Sequence, residues 1–342
     1  MTVIQQEEYR MKKWTTYAVM AALALGAAGL VAGCSGGKTD KAASAAAGKK
    51  SVAVVQLLQH GSLDAANKGF VDGLAKNGYS ADKVAIDQQN AQGDQSNLKS
   101  ITARFKGAHP DLICAIATPA AQSVANEITD IPIVGIAITD YVQAKLVKSN
   151  DAPGGNVTGA SDMNPISSQI DLAMKLMPGK TRVGLMYSSS ETNSEIQANE
   201  MKKYAAEKGL TVVEKTVQSV NDIQQVAESM VGEVDFIYLP TDNVMASAIP
   251  TLIKITDPAK IPVFVGFDAG VKDGAMAALS VDYYRLGEQA GAMAAKILKG
   301  EAKAATLPVE TQKELTVVIN KKSADAMGIT IPEDIASKAK ME

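Results

Sequence analysis

The chain has 342 residues, of which 46% are hydrophobic, 21% charged and 4% aromatic, and its formal net charge is −3. This composition is ordinary for a globular protein of about two domains and excludes a wholly disordered, collagen-like or polytopic membrane chain. The near-neutral balance gives little electrostatic reason to bind nucleic acid. With only two cysteines and two histidines, neither a disulfide framework nor a Cys/His zinc site is expected.

The first 34 residues predict an export signal that ends at a cysteine. Two lysines, at positions 12 and 13, precede an apolar run over residues 18–32, which is shorter than the roughly 20 apolar residues of a membrane-spanning helix. The run ends in Val-Ala-Gly-Cys34, which resembles a bacterial lipobox. We therefore expect a lipoprotein signal peptide over residues 1–34, with Cys34 as the lipidation site. An ordinary export signal that contains a cysteine is the alternative.

Residues 35–50 are rich in Gly, Ser, Ala and Lys without apolar periodicity, which predicts a flexible linker. The signal and the linker together predict an exported protein that is held on the outer face of the cell membrane by its lipid. In a double-membraned bacterium the anchor would face the periplasm. Because Glu7 and Glu8 fit poorly in a positive n-region, either Met1 or Met11 could be the true start.

From residue 52 onwards, short β-branched runs alternate with longer amphipathic segments. A first series predicts strands over residues 52–58, 84–88, 112–117 and 133–138, with helices over 63–77, 94–106 and 119–128. A second series, which begins near residue 165, predicts strands over 181–188, 210–217, 235–239 and 261–265, with helices over 193–208, 221–231 and 243–254. Such runs favour parallel sheets covered on both faces.

These two series predict an α/β protein with two similar lobes, each with a parallel sheet. The alternative, one long doubly wound sheet, would be unusually wide.

Polar residues stand at the predicted carboxyl ends of the strands, where open parallel sheets bind ligands. Thr118 is predicted to cap a helix whose first residue is Pro119, so that backbone N–H groups near Ala120 could bind a carboxylate. Each candidate could instead simply cap a helix or lie in a loop, but together they favour a cleft for a small polar ligand. The other candidates at the strand ends are Gln59, His60, Ser189, Asn193, Thr241, Asp242, Asn243 and Asp268.

The motifs of common enzymes are not found in this sequence. It contains no G-x-S-x-G elbow, no P-loop and no H-E-x-x-H, and two histidines are few for acid–base or metal chemistry. Cys114 lies inside a predicted core strand, where a thiol is usually buried and inert. We therefore expect a binding protein rather than an enzyme, without a cofactor or a metal.

Several stretches together resemble the substrate-binding lipoproteins of ABC importers, which belong to the type I periplasmic-binding-protein superfamily. The branch most similar is the one associated with tryptophan and tyrosine uptake. The resemblance extends over residues 51–335. It is carried by QHGSLDAANKGFVDGL (59–74), ATPAAQ (117–122), TDYVQAKLV (139–147), VTGASDMNP (157–165), LPTDNVMAS (239–247) and LSVDYYRLGEQAGAMAAKILKGE (279–301).

This resemblance implies how the chain is divided into lobes and how it acts. It implies the type I periplasmic-binding-protein fold, an α/β fold of two Rossmann-like lobes with parallel sheets and a cleft between them. The first lobe would comprise residues 51–162 plus 280–304, and the second 163–279 plus 305–342. Three crossovers would lie near 160–165, 277–283 and 302–308. A helix over 283–300 would return to the first lobe, and a last strand over 314–319 would pair in the second. The lobes of a monomer would close on the ligand by a hinge, and the closed form would engage an ABC permease and its ATPase.

The resemblance also implies an aromatic amino acid as the ligand. Its carboxylate would bind at Thr118–Ala120, and its side chain would use Leu58, His60 or Phe267. The candidates for binding its ammonium group are Asp162, Asp242 and Asp268. A receptor of the same fold for a sugar or a nucleoside is one alternative, although such ligands usually stack on aromatic residues, which are few here. A ligand-sensing lipoprotein that acts with a signalling partner is another.

Overall fold

A computed structural model of the protein describes residues 48–342. The predicted signal peptide, Cys34 and most of the predicted linker lie outside this range. The first half contains strands β1 (Lys50–Gln56), β2 (Val84–Asn90), β3 (Leu112–Ile116), β4 (Ile133–Ile138) and β5 (Val157–Ser161). Its helices are α1 (Gly61–Lys76), α2 (Gln95–Ala108) and α3 (Thr118–Glu127).

The second half repeats the alternation of strand and helix. Its helices are α4 (Ile166–Leu176), α5 (Thr192–Glu207), α6 (Ile223–Glu228), α7 (Asn243–Ala246), α8 (Ile249–Thr256) and α9 (Asp268–Lys272), and a 3₁₀ turn covers Val220–Asp222. Its strands are β6 (Arg182–Ser188), β7 (Thr211–Val217), β8 (Phe236–Leu239), β9 (Val263–Val265) and β10 (Ala277–Ser280). The chain ends with α10 (Tyr283–Leu298), β11 (Glu310–Thr311), β12 (Thr316–Ile319), α11 (Lys321–Met327), α12 (Glu333–Ala336) and β13 (Lys340–Met341).

The strands form two separate sheets, which confirms the predicted α/β fold and excludes one long sheet. The first sheet is parallel throughout and has the strand order β11-β5-β4-β3-β1-β2. The second has the order β13-β12-β10-β9-β8-β6-β7 and is parallel except between β10 and β12. We call each sheet with its covering helices a lobe.

The central strands show why the sheets are parallel. Every residue of β3, β4 and β8 is buried, because helices cover both faces of each sheet. The helices begin and end at residues with clear local roles. Asp94, for example, caps α2 by accepting hydrogen bonds from the backbone N–H groups of Ser96 and Asn97 at 2.7 and 2.9 Å.

Among the differences from the predicted secondary structure, two have clear local causes. The helix expected over 243–254 is two helices, α7 and α8, because Pro250 lies in the first turn of α8 and cannot continue a helix that precedes it. Strand β5 was not predicted, since its sequence Val-Thr-Gly-Ala-Ser is short and contains a glycine. Its first-sheet neighbours β4 and β11 supply the backbone partners that its sequence does not signal.

The last part of the chain crosses back to the first lobe and then returns. Helix α10 packs on α1, and β12 pairs with β10 in the second sheet. The predicted boundary at residue 304 is wrong, however, because β11 pairs with β5 in the first sheet. The segment before β11 also contacts the first lobe, since the backbone carbonyl of Leu307 accepts a hydrogen bond from Thr158 Oγ1 in β5 at 2.7 Å. The other predicted lobe boundaries stay predictions.

Candidate functional site

A small cavity lies between the carboxyl ends of the two sheets, where the connections that follow the strands face each other. The first lobe and the start of α10 contribute His60, Ser62, Leu63, Ala137, Thr139, Asp162 and Tyr283. The second lobe contributes Asn193, Thr241, Asp242, Asn243, Ala246 and Phe267. The cavity is therefore mostly polar, with a few apolar side chains.

Two alanines beside the cavity have an unusual backbone conformation. Ala117, at the end of β3, has φ 83°, and Ala137, near the end of β4, has φ 55°. The pairing of β4 with β5 shifts register at Ala137, between Ile136 and Ile138. Irregularities of this kind concentrate at functional sites, where they re-aim the chain. Here they occur at the ends of two neighbouring strands, and Ala137 lines the cavity.

Asp162 presents a buried carboxylate to the cavity. Only 4% of the surface of this residue is exposed. The Tyr283 hydroxyl donates to Oδ2 at 2.9 Å, and the Thr139 hydroxyl donates to Oδ1 at 3.3 Å. Burial raises the pKa of Asp162 to about 6, although these two hydrogen bonds oppose the shift. No lysine or arginine among residues 48–342 lines the cavity, so the site offers Asp162 no positive partner.

Glu191 is a second buried carboxylate, behind the cavity wall of the second lobe, and the sequence analysis missed it. Its Oε2 accepts from the side-chain amides of Asn193 at 2.9 Å and Asn243 at 2.5 Å, and from the Asn243 backbone N–H at 3.3 Å. Its Oε1 accepts from the Val244 backbone N–H at 3.1 Å. Burial and the neighbouring Asp242 raise the pKa of Glu191, whereas the donors favour its ionised form. The position of Glu191 in the loop that follows β6, which ends at Ser188, was the sequence signal that could have identified this residue.

Asp242 lines the cavity but uses its oxygens within the second lobe. It caps α7, because Oδ1 accepts from the Met245 backbone N–H at 2.8 Å. Its Oδ2 accepts from the Ser188 backbone N–H at 2.6 Å and from the Ser194 hydroxyl at 2.7 Å. With its acceptor positions occupied in this way, Asp242 is less available to a ligand than Asp162.

Direct hydrogen bonds join the two lobes across the cavity. His60 Nε2 lies 3.2 Å from Asn243 Oδ1, and Thr139 Oγ1 lies 3.3 Å from Thr241 Oγ1. Gln197, on α5 of the second lobe, donates to Thr139 Oγ1 at 3.1 Å. Thr139 and Gln197, like Tyr283, were not candidates from the sequence. These bonds show that the lobes are closed on each other in this structure.

Four buried polar atoms around the cavity have no hydrogen-bond partner among the residues that the structure describes. They are His60 Nδ1, Ser62 Oγ, Thr118 Oγ1 and Asn193 Oδ1. A buried polar atom without a partner lowers the stability of the folded protein by about 1–3 kcal/mol, so such atoms are rare and often belong to functional sites. Three of the four residues line the cavity. A polar ligand would supply the missing partners.

The structure gathers half of the sequence-predicted site residues at the cavity. His60, Asp162, Asn193, Thr241, Asp242 and Asn243 line it, and so does Phe267. Thr118, Pro119 and Ala120 are buried at the start of α3 but do not line it. The predicted cap also differs by one residue, because the N-cap of α3 is Ala117.

The remaining candidates lie outside the cavity. Gln59 and Ser189 are exposed, because the chain turns outward just after each strand. Asp268 lines a separate pocket near Lys272 and Lys340, and Leu58 is buried without reaching the cavity.

Comparisons with known proteins agree with this fold and with the position of the site. Residues 51–342 match the family of ABC transporter substrate binding proteins. The chain therefore belongs to this family, whose members bind solutes outside the cytoplasm for ABC transport and have the type I periplasmic-binding-protein fold. None of the helices over residues 48–342 is long and apolar enough to cross a membrane.

Three similar proteins are informative. The tyrosine-binding protein of Clostridioides difficile (strain R20291) is 39% identical over 280 residues, which cover 82% of this chain and 81% of that protein. The ABC domain of Streptococcus pneumoniae, solved in complex with L-Trp, is 42% identical with a TM-score of 0.83, and the match covers 86% of this chain and 99% of that one. The ligand-free, open structure of a substrate-binding protein with adhesive properties from Clostridium difficile is 38% identical with a TM-score of 0.66, at the same coverage.

The two TM-scores agree with the closed arrangement of the lobes. At nearly equal sequence identity, the chain superposes better on the L-Trp complex, at 0.83, than on the ligand-free, open structure, at 0.66. Since the lobes share one fold in all three proteins, the lower score agrees with a different arrangement of the lobes in the open structure.

Proposed function

We propose that this protein captures an aromatic L-amino acid and delivers it to the permease of an ABC importer, which its ATPase drives. The observation that carries the proposal is the buried carboxylate of Asp162, which faces the cavity between the lobes, where no lysine or arginine of the described residues lies. Such a group calls for a cationic ligand, and the ammonium group of an amino acid supplies one. Two similar proteins, with tyrosine and L-Trp as their named ligands, support an aromatic side chain.

Each part of a zwitterion finds a matching group in the cavity. The ammonium would donate to Asp162, beside the hydroxyls of Thr139 and Tyr283. The carboxylate is attached to the same carbon as the ammonium, so it would bind on the same side of the cavity, where the Thr241 hydroxyl next to Thr139 can donate. The apolar side chain of Phe267 would contact the ring.

The capture of the ligand would couple to lobe closure. A ligand that bridges the two lobes stabilises the closed form by its differential affinity for that form, and the permease would recognise it. We expect a monomer to suffice, because both halves of the cavity come from one chain.

We also propose that Cys34 carries a lipid that anchors the protein to the membrane. The lipobox-like Val-Ala-Gly-Cys34 and the polar stretch that follows support this. Expression of the full chain in a bacterium should place the protein in the membrane fraction, and Cys34→Ser should release it into the soluble exported fraction. If the variant fractionates with membranes as the wild type does, the lipid anchor is not at this residue.

The ligand can be tested by thermal melting of residues 35–342 against the twenty amino acids, common sugars and nucleosides. A ligand at 100 times its Kd adds about 2.7 kcal/mol of stability, which is readily measured as a shift in Tm. We expect shifts with aromatic amino acids. Since the only tryptophan of the sequence, Trp14, precedes this segment, tryptophan fluorescence would report the ligand alone. A shift with only a sugar or a nucleoside would overturn the proposed ligand while leaving the family unchanged.

A further inference from the structure

We propose that His60 selects ligands whose side chain ends in a hydrogen-bond donor, so that tyrosine and tryptophan bind more tightly than phenylalanine. The inference rests on the proposed function, since it concerns the same cavity. It follows from the direction of the hydrogen bonds that connect Glu191, Asn243 and His60.

The chain of hydrogen bonds starts at Glu191. The carboxylate of this residue accepts four N–H bonds, and one of them comes from the side-chain amide nitrogen of Asn243 at 2.5 Å. The amide of Asn243 is thereby oriented, with its nitrogen towards Glu191 and its oxygen, Oδ1, towards the first lobe. His60 Nε2 lies 3.2 Å from this oxygen.

An amide oxygen can only accept, so Nε2 of His60 must carry the proton that it donates to Asn243. In a neutral imidazole, the other nitrogen, Nδ1, is then an acceptor with a free lone pair. Burial lowers the pKa of His60 to about 4, so the ring is neutral at physiological pH. Nδ1 is buried and has no partner within residues 48–342. The cavity thus contains an acceptor that only a ligand donor can satisfy.

The strand order indicates which ligand donor reaches His60. His60 follows β1, whereas Asp162 follows β5, and strands β3 and β4 lie between them in the sheet. At about 4.8 Å per strand, the ends of β1 and β5 are ~14 Å apart. An ammonium group bound to Asp162 is therefore distant from His60. The far end of a long side chain is better placed to meet Nδ1, and the phenol O–H of tyrosine or the indole N–H of tryptophan supplies the donor.

The test compares tyrosine with phenylalanine, which differ only in the hydroxyl group. Isothermal titration of residues 35–342 should give a Kd for tyrosine that is at least about tenfold lower than that for phenylalanine, because phenylalanine leaves the buried Nδ1 without a partner. In His60→Gln, the amide N–H takes the place of Nε2–H towards Asn243, and no acceptor remains at the Nδ1 position. We expect the Kd ratio of the two ligands to fall below about threefold in this variant.

His60→Asn is the matched control, since its Oδ1 restores an acceptor near the Nδ1 position. This variant should retain the preference for tyrosine, and melting curves should show that both variants are folded. Equal Kd values for tyrosine and phenylalanine in the wild type would overturn the proposal. An equal loss of affinity for tyrosine and phenylalanine in His60→Gln would also overturn it, because His60 would then contact a part of the ligand that both amino acids share. If the wild type binds no aromatic amino acid, the proposed function itself fails.

Discussion

The buried carboxylate of Asp162 lowers the stability of the ligand-free protein, although ligand binding is proposed to need it. Burial raises its pKa from 3.8 in the unfolded chain to about 6 in the folded protein. A carboxyl group with a raised folded pKa is easier to bury when it is protonated. As the pH rises from about 4 to about 6, this group therefore lowers the free energy of unfolding of the empty protein, by about 3 kcal/mol in total. A cationic ligand would pair with the buried carboxylate and remove this loss of stability, so that binding stabilises the folded protein.

Replacing Asp162 by asparagine should separate the two effects. At pH 7.5 we expect Asp162→Asn to raise the stability of the ligand-free protein by about 2 kcal/mol, since no charge is then buried, and to raise the Kd for an aromatic amino acid at least about tenfold. Melting curves and titration calorimetry would measure the two quantities. Asp268→Asn is the control, because Asp268 lines a different pocket, and its Kd should stay at the wild-type value. Unchanged binding in Asp162→Asn would place the ammonium elsewhere.

Binding should also depend on pH in a defined direction. Because the ligand ammonium needs the ionised carboxylate, the Kd should be flat above about pH 7 and rise as the pH falls through about 6, approaching tenfold per pH unit. The other ionisable groups at the cavity are the Tyr283 hydroxyl, whose pKa is raised, the carboxyl pair of Glu191 and Asp242, and His60, whose pKa is lowered. Calorimetry from pH 5 to 8 would measure the profile. A profile that is identical in Asp162→Asn would assign the titration to one of those groups.

At the scale of the elements, the packing of α1 against α10 positions the residues at the start of both helices. A Cβ atom on Gly73 would lie 2.6 Å from the carbonyl oxygen of Glu288, and one on Gly291 would lie 2.5 Å from that of Phe70. The helices therefore touch backbone to backbone. His60 immediately precedes α1 and Tyr283 begins α10, so this contact holds one cavity residue relative to the other.

Alanine at Gly291 should force these helices apart. We expect Gly291→Ala to lower the free energy of unfolding by about 2 kcal/mol, because the obstructing atom belongs to the backbone and cannot turn away. Gly107→Ala, in α2, is the matched control. No atom lies within 4 Å of its added Cβ, so it should raise stability by about 0.5–1 kcal/mol. Urea denaturation would measure both, and equal effects would exclude close packing as the cause.

At the scale of the whole molecule, hydrogen bonds between the lobes stabilise the closed form without any contribution from a ligand. Thr139 is central to them, since it contacts Thr241 and Gln197 of the second lobe as well as Asp162. The closed form then needs less binding energy from the ligand than it would if the lobes made no polar contact.

Removal of the Thr139 hydroxyl should favour the open form. We expect Thr139→Val to raise the Kd about tenfold, since Gln197 and Asp162 each lose a partner in the closed form. Small-angle scattering should show a larger radius of gyration for the ligand-free variant than for the ligand-free wild type. Thr211→Val, on the exposed edge strand β7, should change neither quantity. A variant as compact as the wild type would show that these bonds do not hold the lobes together.

The sequence by itself determined the fold class, the family and the edge of the sheets at which the cavity lies. Short continuous apolar runs such as β3 and β4 indicate parallel strands buried on both faces, and such runs are visible in the local sequence. The rule that ligands bind beyond the carboxyl ends of strands then identified His60, Thr241 and Asn243 among the residues that line the cavity, and the family resemblance added Asp162.

The tertiary structure decided which polar groups are left free for a ligand. Asp242 and Asp162 are both aspartates at strand ends, but Asp242 accepts three hydrogen bonds within the second lobe, whereas Asp162 accepts two, both from hydroxyl groups that line the cavity. Glu191, Thr139 and Tyr283 join the site from distant segments, and β11 pairs with β5 across about half the chain. A side chain acquires its partners through long-range packing, and that packing, rather than local pattern, set the orientation of Asn243 and the free nitrogen of His60.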